Sequence, residues 1–487
     1  MTGGFRRLVP ILNTTNIDQL NSAYIWYDFF GVPQLSARSG TQNLKKDMLL
    51  AVESIPAYIA RSDFFLVLAP TLRHNDKKEI ICSKGSWQDR GWCRFEQSMY
   101  ALLQRKGIED TSAIFIHHTG FIQEAVPMQW LFCLPQDGIF SVESDRSTVD
   151  QMVALVAAER LDRLYNTSQF FDWRFFQAVY RYIDRSSKVE EDFTQWMKNY
   201  GFGTTADVGI PDCWGPALFA AVEGNEKILR RLFEMSCPID QPALGAPASI
   251  MAGPGMTPLM AAAALIPNKD VCLETCKVLL SLKASTDAKD GAGQTVLHYA
   301  AGAPCGAGIL KYLLDSKIDP NLKDDGGEVP LHKSSLTNAT ANVSRTENIG
   351  LLLNAGAKWD IRGGPFMGSP WLFMGSCCYD EVKMYLDAGA DPNEQLQPSP
   401  EFDAARTGSP ASQKESVVGV VLEHGEGMTT MMLAAWVGSW ETVELILERK
   451  GDPNLKTAGG RRAIDWLIDY GVTWGPTYEV LEKVTKK

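Results

Sequence analysis

Three kinds of side chain in this 487-residue chain could carry chemistry: thiols, imidazoles, and carboxylates set beside aromatic rings. The ten cysteines stand at 82, 93, 133, 213, 237, 272, 276, 305, 377 and 378, and none forms the C-x-x-C pair that holds zinc or shuttles electrons. Cys272 and Cys276 would share one helical face, and the adjacent Cys377 and Cys378 cannot easily bridge each other. They read as small buried hydrophobes and free thiols of a reducing compartment. His117 and His118 follow an apolar run, a place where a ligand could sit, yet no cysteine or aspartate stands at ligand spacing, so no metal site is expected. His298 in T-x-x-H, and His332, suit a structural role, in which the imidazole ties the loop to the helix start through the Thr295 hydroxyl or nearby backbone. No G-x-G-x-x-G, P-loop, H-E-x-x-H or G-x-S-x-G occurs.

The elements that must position these residues divide the chain in two. From 212 onward the sequence repeats itself. GMTPLMAAAAL (255–265) recurs as GQTVLHYAAGA (293–303), EVPLHKSSL (328–336) and GMTTMMLAAWVG (427–438), with degenerate copies at 215–225, 369–376 and 460–471. A second apolar segment and a turn follow each copy, as in ILKYLLDSKIDPNLKD and VELILERKGDPNLK. The position held by Leu in T-P-L-H falls at 217, 259, 297, 331, 371, 431 and 464. The closest spacings are about 33 residues, and the others carry insertions.

This pattern resembles the ankyrin repeat. Thr-Pro starts the first helix, where the missing proline N–H costs nothing. Paired alanines (Ala262-Ala263, Ala300-Ala301, Ala434-Ala435) keep that helix thin, and pairs such as Leu279-Leu280 and Leu313-Leu314 form the core face of the second. Gly356 and Gly389 stand where a helix stops in a left-handed conformation. Asp-Pro-Asn at 319–321, 391–393 and 452–454 then turns the chain into a projecting finger. The resemblance implies about seven units over 211–487, with 396–426 as an inserted surface loop rich in Pro, Ser and Ala. It also implies a protein partner bound through the fingers and the concave inner-helix face. The finger residues expected to meet that partner are Asp287, Lys289, Asp290, Asp319, Asn321, Lys323, Asp391, Asn393, Asp452 and Asn454.

In the first half, apolar runs of strand length alternate with helical periods: SAYIWYDFF (22–30), a helix over 47–62, FFLVLAP (64–70), a helix over 90–107, SAIFIHH (112–118), IFSV (139–142) as a further strand candidate, and a helix over 148–165. That order predicts an α/β domain over 1–165, a parallel sheet with helices on its faces. Three segments resemble the TIR-like superfamily, including its heterokaryon-incompatibility type: YIWYDFFGVPQ, AVESIPAYIARSDFFLVLAP and the W-C-x-x-E box in RGWCRFEQ. Only FRRLVPIL (5–12) could serve as the strand that should come first, so the domain is expected to lack its first strand and helix. The resemblance implies Glu96 as the carboxylate that would stabilise a cationic ribosyl group during NAD cleavage. Trp26, Phe29 and Trp92 would stack or wall the nucleotide. It also admits self-association through this domain. The alternative is that Glu96 is a satisfied helix carboxylate, with Trp92 and Cys93 packing residues.

Between the halves, 166–210 reads as a helical connector. Its aromatic run FFDWRFFQAVYRYI (170–183) has the spacing of a docking helix, and a Gly/Thr linker follows. Lys+Arg 47 against Asp+Glu 58 gives a net charge of −11, and hydrophobic residues make up 45%. An acidic surface without a long basic run argues against nucleic acid as partner. The absence of an 18-residue apolar stretch or a signal-peptide layout argues for a cytoplasmic protein away from membranes. The combined expectation is an intracellular signalling or adaptor protein without a cofactor, coupling partner binding on the array to a TIR-like domain. The alternative is an NAD-cleaving enzyme with Glu96 as its key carboxylate, NAD being substrate and the array serving recruitment.

Overall fold

The structure, a computed structural model, describes residues 44–62, 65–69, 72–74, 81–82, 84–103, 114–118, 121–124, 129–185, 192–203, 214–245, 253–341, 346–363, 379–397, 425–469 and 471–485. Helix α1 (Leu44–Ile59) contains Pro56 near its end and buries Ile55 and Ile59. Strand β1 (Leu66–Leu68) pairs in parallel with β4 (Ile114–His118), Leu66 opposite Ile114 and Leu68 opposite Ile116. Strand β5 (Phe121–Glu124) runs antiparallel to β4. A separate antiparallel pair joins β2 (Leu72–Arg73) to β3 (Ile81–Cys82).

The expected parallel sheet is therefore corrected. Among the described residues the sheet is small and mixed, in the order β1-β4-β5. The apolar run 139–142 is no strand. Ile139 makes an isolated bridge to Arg90 and stays exposed, and the chain bends directly into the next helix. Short apolar runs cannot be assigned by periodicity alone, and this one lacked a neighbour to pair with. The body is mostly helical. Helix α2 (Lys84–Gln88) leads into α3 (Gly91–Leu103), which buries Cys93, Phe95, Met99 and Leu102. Helix α4 (Asp145–Asn166) packs on it through Val149, Val153, Val156, Ala157 and Leu164, whose spacing gives one apolar stripe.

A left-handed Ser168 (φ 59°) turns the chain from α4 into α5 (Phe170–Ile183), and α6 (Phe193–Asn199) follows with Asp192 capping its first turn. These helices do not stand apart from the repeats. Phe171, Phe175, Trp196, Tyr200 and Phe202 join Trp214 and Phe219 in a buried aromatic cluster. Polar bonds reinforce the joint. The Tyr182 hydroxyl donates to the carbonyls of Val222 (3.2 Å) and Glu223 (3.0 Å), Arg181 donates to Glu223 O, and the Trp196 indole donates to the Glu223 carboxylate at 2.6 Å. Among the described residues one large apolar core takes in side chains from Ile55 to Leu481, and Val67, Ala69 and Phe115 at the small sheet form a separate cluster.

The second half is a stack of helix pairs. They are α7 (Pro216–Glu223) with α8 (Glu226–Glu234), α9 (Pro258–Leu265) with α10 (Lys269–Ser281), α11 (Val296–Gly302) with α12 (Ala307–Asp315), and α13 (Pro330–Ala341) with α14 (Thr346–Asn354). After the second helix of a fifth unit, α15 (Tyr379–Asp387), come α16 (Thr430–Trp436) with α17 (Trp440–Glu448) and α18 (Ala463–Asp469) with α19 (Pro476–Thr485). Thr257 and Thr429 cap their helices by accepting the Met260 and Met432 amides, and Pro258 sits at the first helical position. The paired alanines are fully buried, which lets successive inner helices approach closely.

Candidate partner-binding surface

Each finger is built from the residue types singled out in the sequence, and the structure gives them different roles. Asp290 is only 9% exposed. One carboxylate oxygen accepts the Ala292 and Gln294 amides (2.9 and 2.8 Å), and the other accepts the Tyr299 hydroxyl at 2.7 Å. Burial, then the facing Asp290 carboxylate, pushes the Tyr299 phenol well above its ordinary pKa. Asp324 repeats the construction one unit later, accepting the Gly326 and Glu328 amides. It also pairs with Lys333 at 3.0 Å, and Glu328 pairs with the same ammonium. Burial works against that ammonium, but Glu328 and Asp324 outweigh it and hold its pKa above the usual lysine value. Asp290 thus locks its hairpin from inside and is not part of the outward surface.

Asn321 and Asn393 bridge units. The Asn321 amide donates to Gly356 O (3.1 Å) and accepts the Lys358 amide (2.8 Å). Asn393 does the same with Lys450 O (3.1 Å) and the Asp452 amide (2.7 Å), so the fifth and sixth units are in register across the insertion. Residues 396 and 426 belong to the fingers: Leu396 exchanges backbone bonds with Gly427 and Met428, and Glu426 accepts the Ala458 amide. The rest of the insertion, 398–424, lies outside the described residues. Asp319, Asp391 and Asp452 each accept the amide two residues on, leaving their second oxygens toward solvent. Asp287, Lys289, Lys323 and Asn454 are exposed.

The imidazoles are structural links. His298 Nδ1 accepts the Thr295 amide at 3.2 Å and lies 3.1 Å from its hydroxyl, while Nε2 reaches Glu328 O of the next unit at 3.3 Å. An acceptor at Nδ1 requires the proton on Nε2, so the neutral ring satisfies both contacts. Burial is the main reason its pKa falls to about 4. His332 likewise accepts the Val329 amide. Fingers also bond directly to one another, Gly291 N to Pro254 O and Asp325 N to Ala292 O. Two ties were missed in the sequence. Asp240 accepts the Ser285 amide, occupying in the first unit the place of Asn321, a match visible only by aligning CPID with IDPN. The Asn348 amide donates to the carbonyls of Ala300, Ala301 and Ala303, closing the end of α11.

In the N-terminal body, Glu96 is half-buried on α3. Trp92, one turn earlier, donates its indole N–H to Asp145 (3.1 Å) and packs edge-on against Phe95 and Phe140. It is a packing residue rather than an open stacking wall. Trp26 and Phe29 lie outside the described residues, so nothing places them beside Glu96. Among the described residues no group of three or more His, Cys, Asp or Glu could hold a metal ion, and no helix is long and apolar enough to cross a membrane. Cys93, Cys237, Cys272 and Cys276 are buried free thiols, and burial pushes Cys237 up to about 11.

Comparison with known families matches ankyrin repeats, three copies, over residues 218–324. The chain carries ankyrin repeats there. Among solved structures it is similar to the ankyrin repeat domain of Bcl-3, described as a unique member of the IkappaB protein family. Identity is 20%, covering 55% of this chain and 97% of that one, with a TM-score of 0.36. It is also similar to the structure of the Bd0816 predatory endopeptidase from Bdellovibrio bacteriovorus in complex with immunity protein Bd3460. There the identity is 21%, covering 46% of this chain and 96% of that one, with a TM-score of 0.34. No curated protein matches. The TIR-like resemblance finds no support in these comparisons.

Proposed function

We propose that the chain is a protein-binding scaffold whose partner docks along the finger side of the repeat array. The observation that carries this reading is the division of labour within the fingers. Asp290, Asp324, Asn321 and Asn393 hold successive units rigid from within, leaving Asp287, Lys289, Lys323 and Asn454 outward on fixed hairpins. Repeat stacks of this kind present a long preformed surface, which lowers the ordering cost of binding a protein. The N-terminal body is coupled to that surface through the shared core at α5, α6 and α7.

An adaptor role for that body, as a TIR-like module, is the finer part of the proposal. What supports it is the parallel β1–β4 pair and the W-C-x-x-E box that opens α3. The NAD-cleaving alternative rests on Glu96 alone, with Trp92 committed to packing. The test is hydrogen–deuterium exchange of the full chain with a partner captured by proximity labelling. Protection should fall on the finger segments 283–294, 317–328 and 450–460. Protection confined to 44–165 would overturn the proposal.

A further inference from the structure

We infer that the finger side of the second and third units forms a docking strip for a carboxylate-rich peptide segment of a partner protein, with the sixth unit repeating the same two lysine positions. This deepens the proposed function and rests on it. Several surface cations of the array are matched: Lys277 with Glu274, Lys311 with Asp315, Lys383 with Asp387, Arg461 with Asp469. A recurring set of lysines breaks that habit. Lys283, Lys289, Lys317, Lys323, Lys450 and Lys456 are all exposed, and within the described residues none forms an ion pair. They occupy the same two positions in their three units, one just past the outer helix and one on the finger.

The first of these positions is unusual in its backbone. Lys283, Lys317 and Lys450 are left-handed, with φ of 71°, 67° and 69°. Glycine fills the same place in the fourth and fifth units, at Gly356 and Gly389, where an added Cβ would meet nothing within 4 Å. A side chain there has no packing to gain and sits in a conformation that disfavours it, so its use points outward. The second and third units are joined finger to finger through Asp325 N and Ala292 O, so four of these lysines stand on adjoining hairpins.

Carboxylates share these segments. Asp290 and Asp324 are buried, Asp319 and Asp452 give one oxygen to a backbone amide, and Asp287 and Asp325 are exposed. Alternating charge of this kind suits spaced carboxylates on a polypeptide. A continuous phosphate backbone would meet the interposed aspartates and a chain of net charge −11.

The test uses the full chain, with anisotropy of a fluorescein-labelled glutamate-rich peptide and of the same peptide with glutamine for glutamate. Wild type should bind the glutamate peptide more tightly, and the difference should shrink as salt rises. Lys283→Gly with Lys317→Gly, and separately Lys289→Gln with Lys323→Gln, should each weaken binding about three- to tenfold. The glycine pair relieves the backbone, so its melting temperature should not fall, separating lost binding from lost folding. Equal binding of the two peptides, unchanged affinity in both double variants, or tighter binding of an oligonucleotide would overturn the inference. A captured partner that protects the fingers yet binds both double variants like wild type would sink this inference alone. A footprint outside the array would sink the proposed function with it.

Discussion

Lowering the pH from neutral tests the link that His298 makes between units. In the folded chain the ring is 1% exposed and uses both nitrogens as a neutral imidazole, Nδ1 accepting from Thr295 and Nε2 donating to Glu328 O. Protonation would put a second N–H against the Thr295 amide, inside a site that burial already makes hostile to charge. Asp324 and the Glu328 carbonyl favour the charged ring but do not reverse the burial effect, and the folded pKa falls from 6.5 to about 4. Unfolded, the histidine takes up its proton near 6.5, so between these values the unfolded state binds more protons than the folded one. Stability from this site is therefore complete above about 6.5 and is lost as pH falls toward about 4. The full shift corresponds to roughly 3 kcal/mol. Urea denaturation of wild type and His298→Asn across this window should show wild type losing up to that much more than the variant. At neutral pH the variant should start lower by about 1–3 kcal/mol, because a buried contact is disturbed. Parallel pH curves for the two proteins would refute the reasoning.

Asn348→Ala should destabilise by about 1–3 kcal/mol in chemical denaturation, because the carbonyls of Ala300, Ala301 and Ala303 lose their shared donor in a buried place. Leu313→Ala should cost about 2–5 kcal/mol, since its side chain is fully inside the stack, and a loss below half a kilocalorie would show the site can collapse freely. Gly356→Ala should cost about 0.5–1 kcal/mol by thermal melting. The φ of 92° penalises a Cβ that otherwise meets nothing, and the stiffer unfolded chain offsets part of the penalty. Incubated with NAD, the wild-type chain should release little or no nicotinamide by chromatography. Robust release abolished by Glu96→Gln would restore the enzyme alternative.

The array was legible because its determinants are local and recur. Thr-Pro caps, alanine pairs and the imidazole of T-x-x-H act within one helix start, and each is found in that role. The fingers were legible in outline only. Aspartate before a glycine turn looks like a partner-facing charge. Nothing in the spacing of Asp290 shows that Tyr299, from the following helix, will fold back onto its second oxygen. The Asn348 link was hidden for a similar reason, since it joins positions 47 residues apart that lie in different units. In the N-terminal half the apolar runs were read as buried strands, but only part of each is buried: Val67, Ala69, Phe115 and Phe140 are inside, while Leu66, Leu68, Ile139 and Val142 are exposed. Their pairing was not legible either, because β4 finds a parallel neighbour on one side and an antiparallel one on the other.

The junction between the halves is fixed by directional contacts as well as by apolar packing. The aromatic spacing of 170–183 announces a docking helix, but the contacts that make the dock specific lie elsewhere. Glu223 ends the first inner helix, and three groups from α5 and α6 converge on it: the Tyr182 hydroxyl and Arg181 on its carbonyl, and the Trp196 indole on its carboxylate. The adjacent Gly224 is left-handed at φ 67°, and a Cβ there would lie 2.8 Å from the Tyr182 hydroxyl, so the chain can pass this point only as glycine. Apolar burial alone would permit the two halves to slide, since it is non-directional. Directional bonds to a helix end fix the angle between them. The first repeat is therefore held by α5 and α6 on one side and by the second repeat on the other.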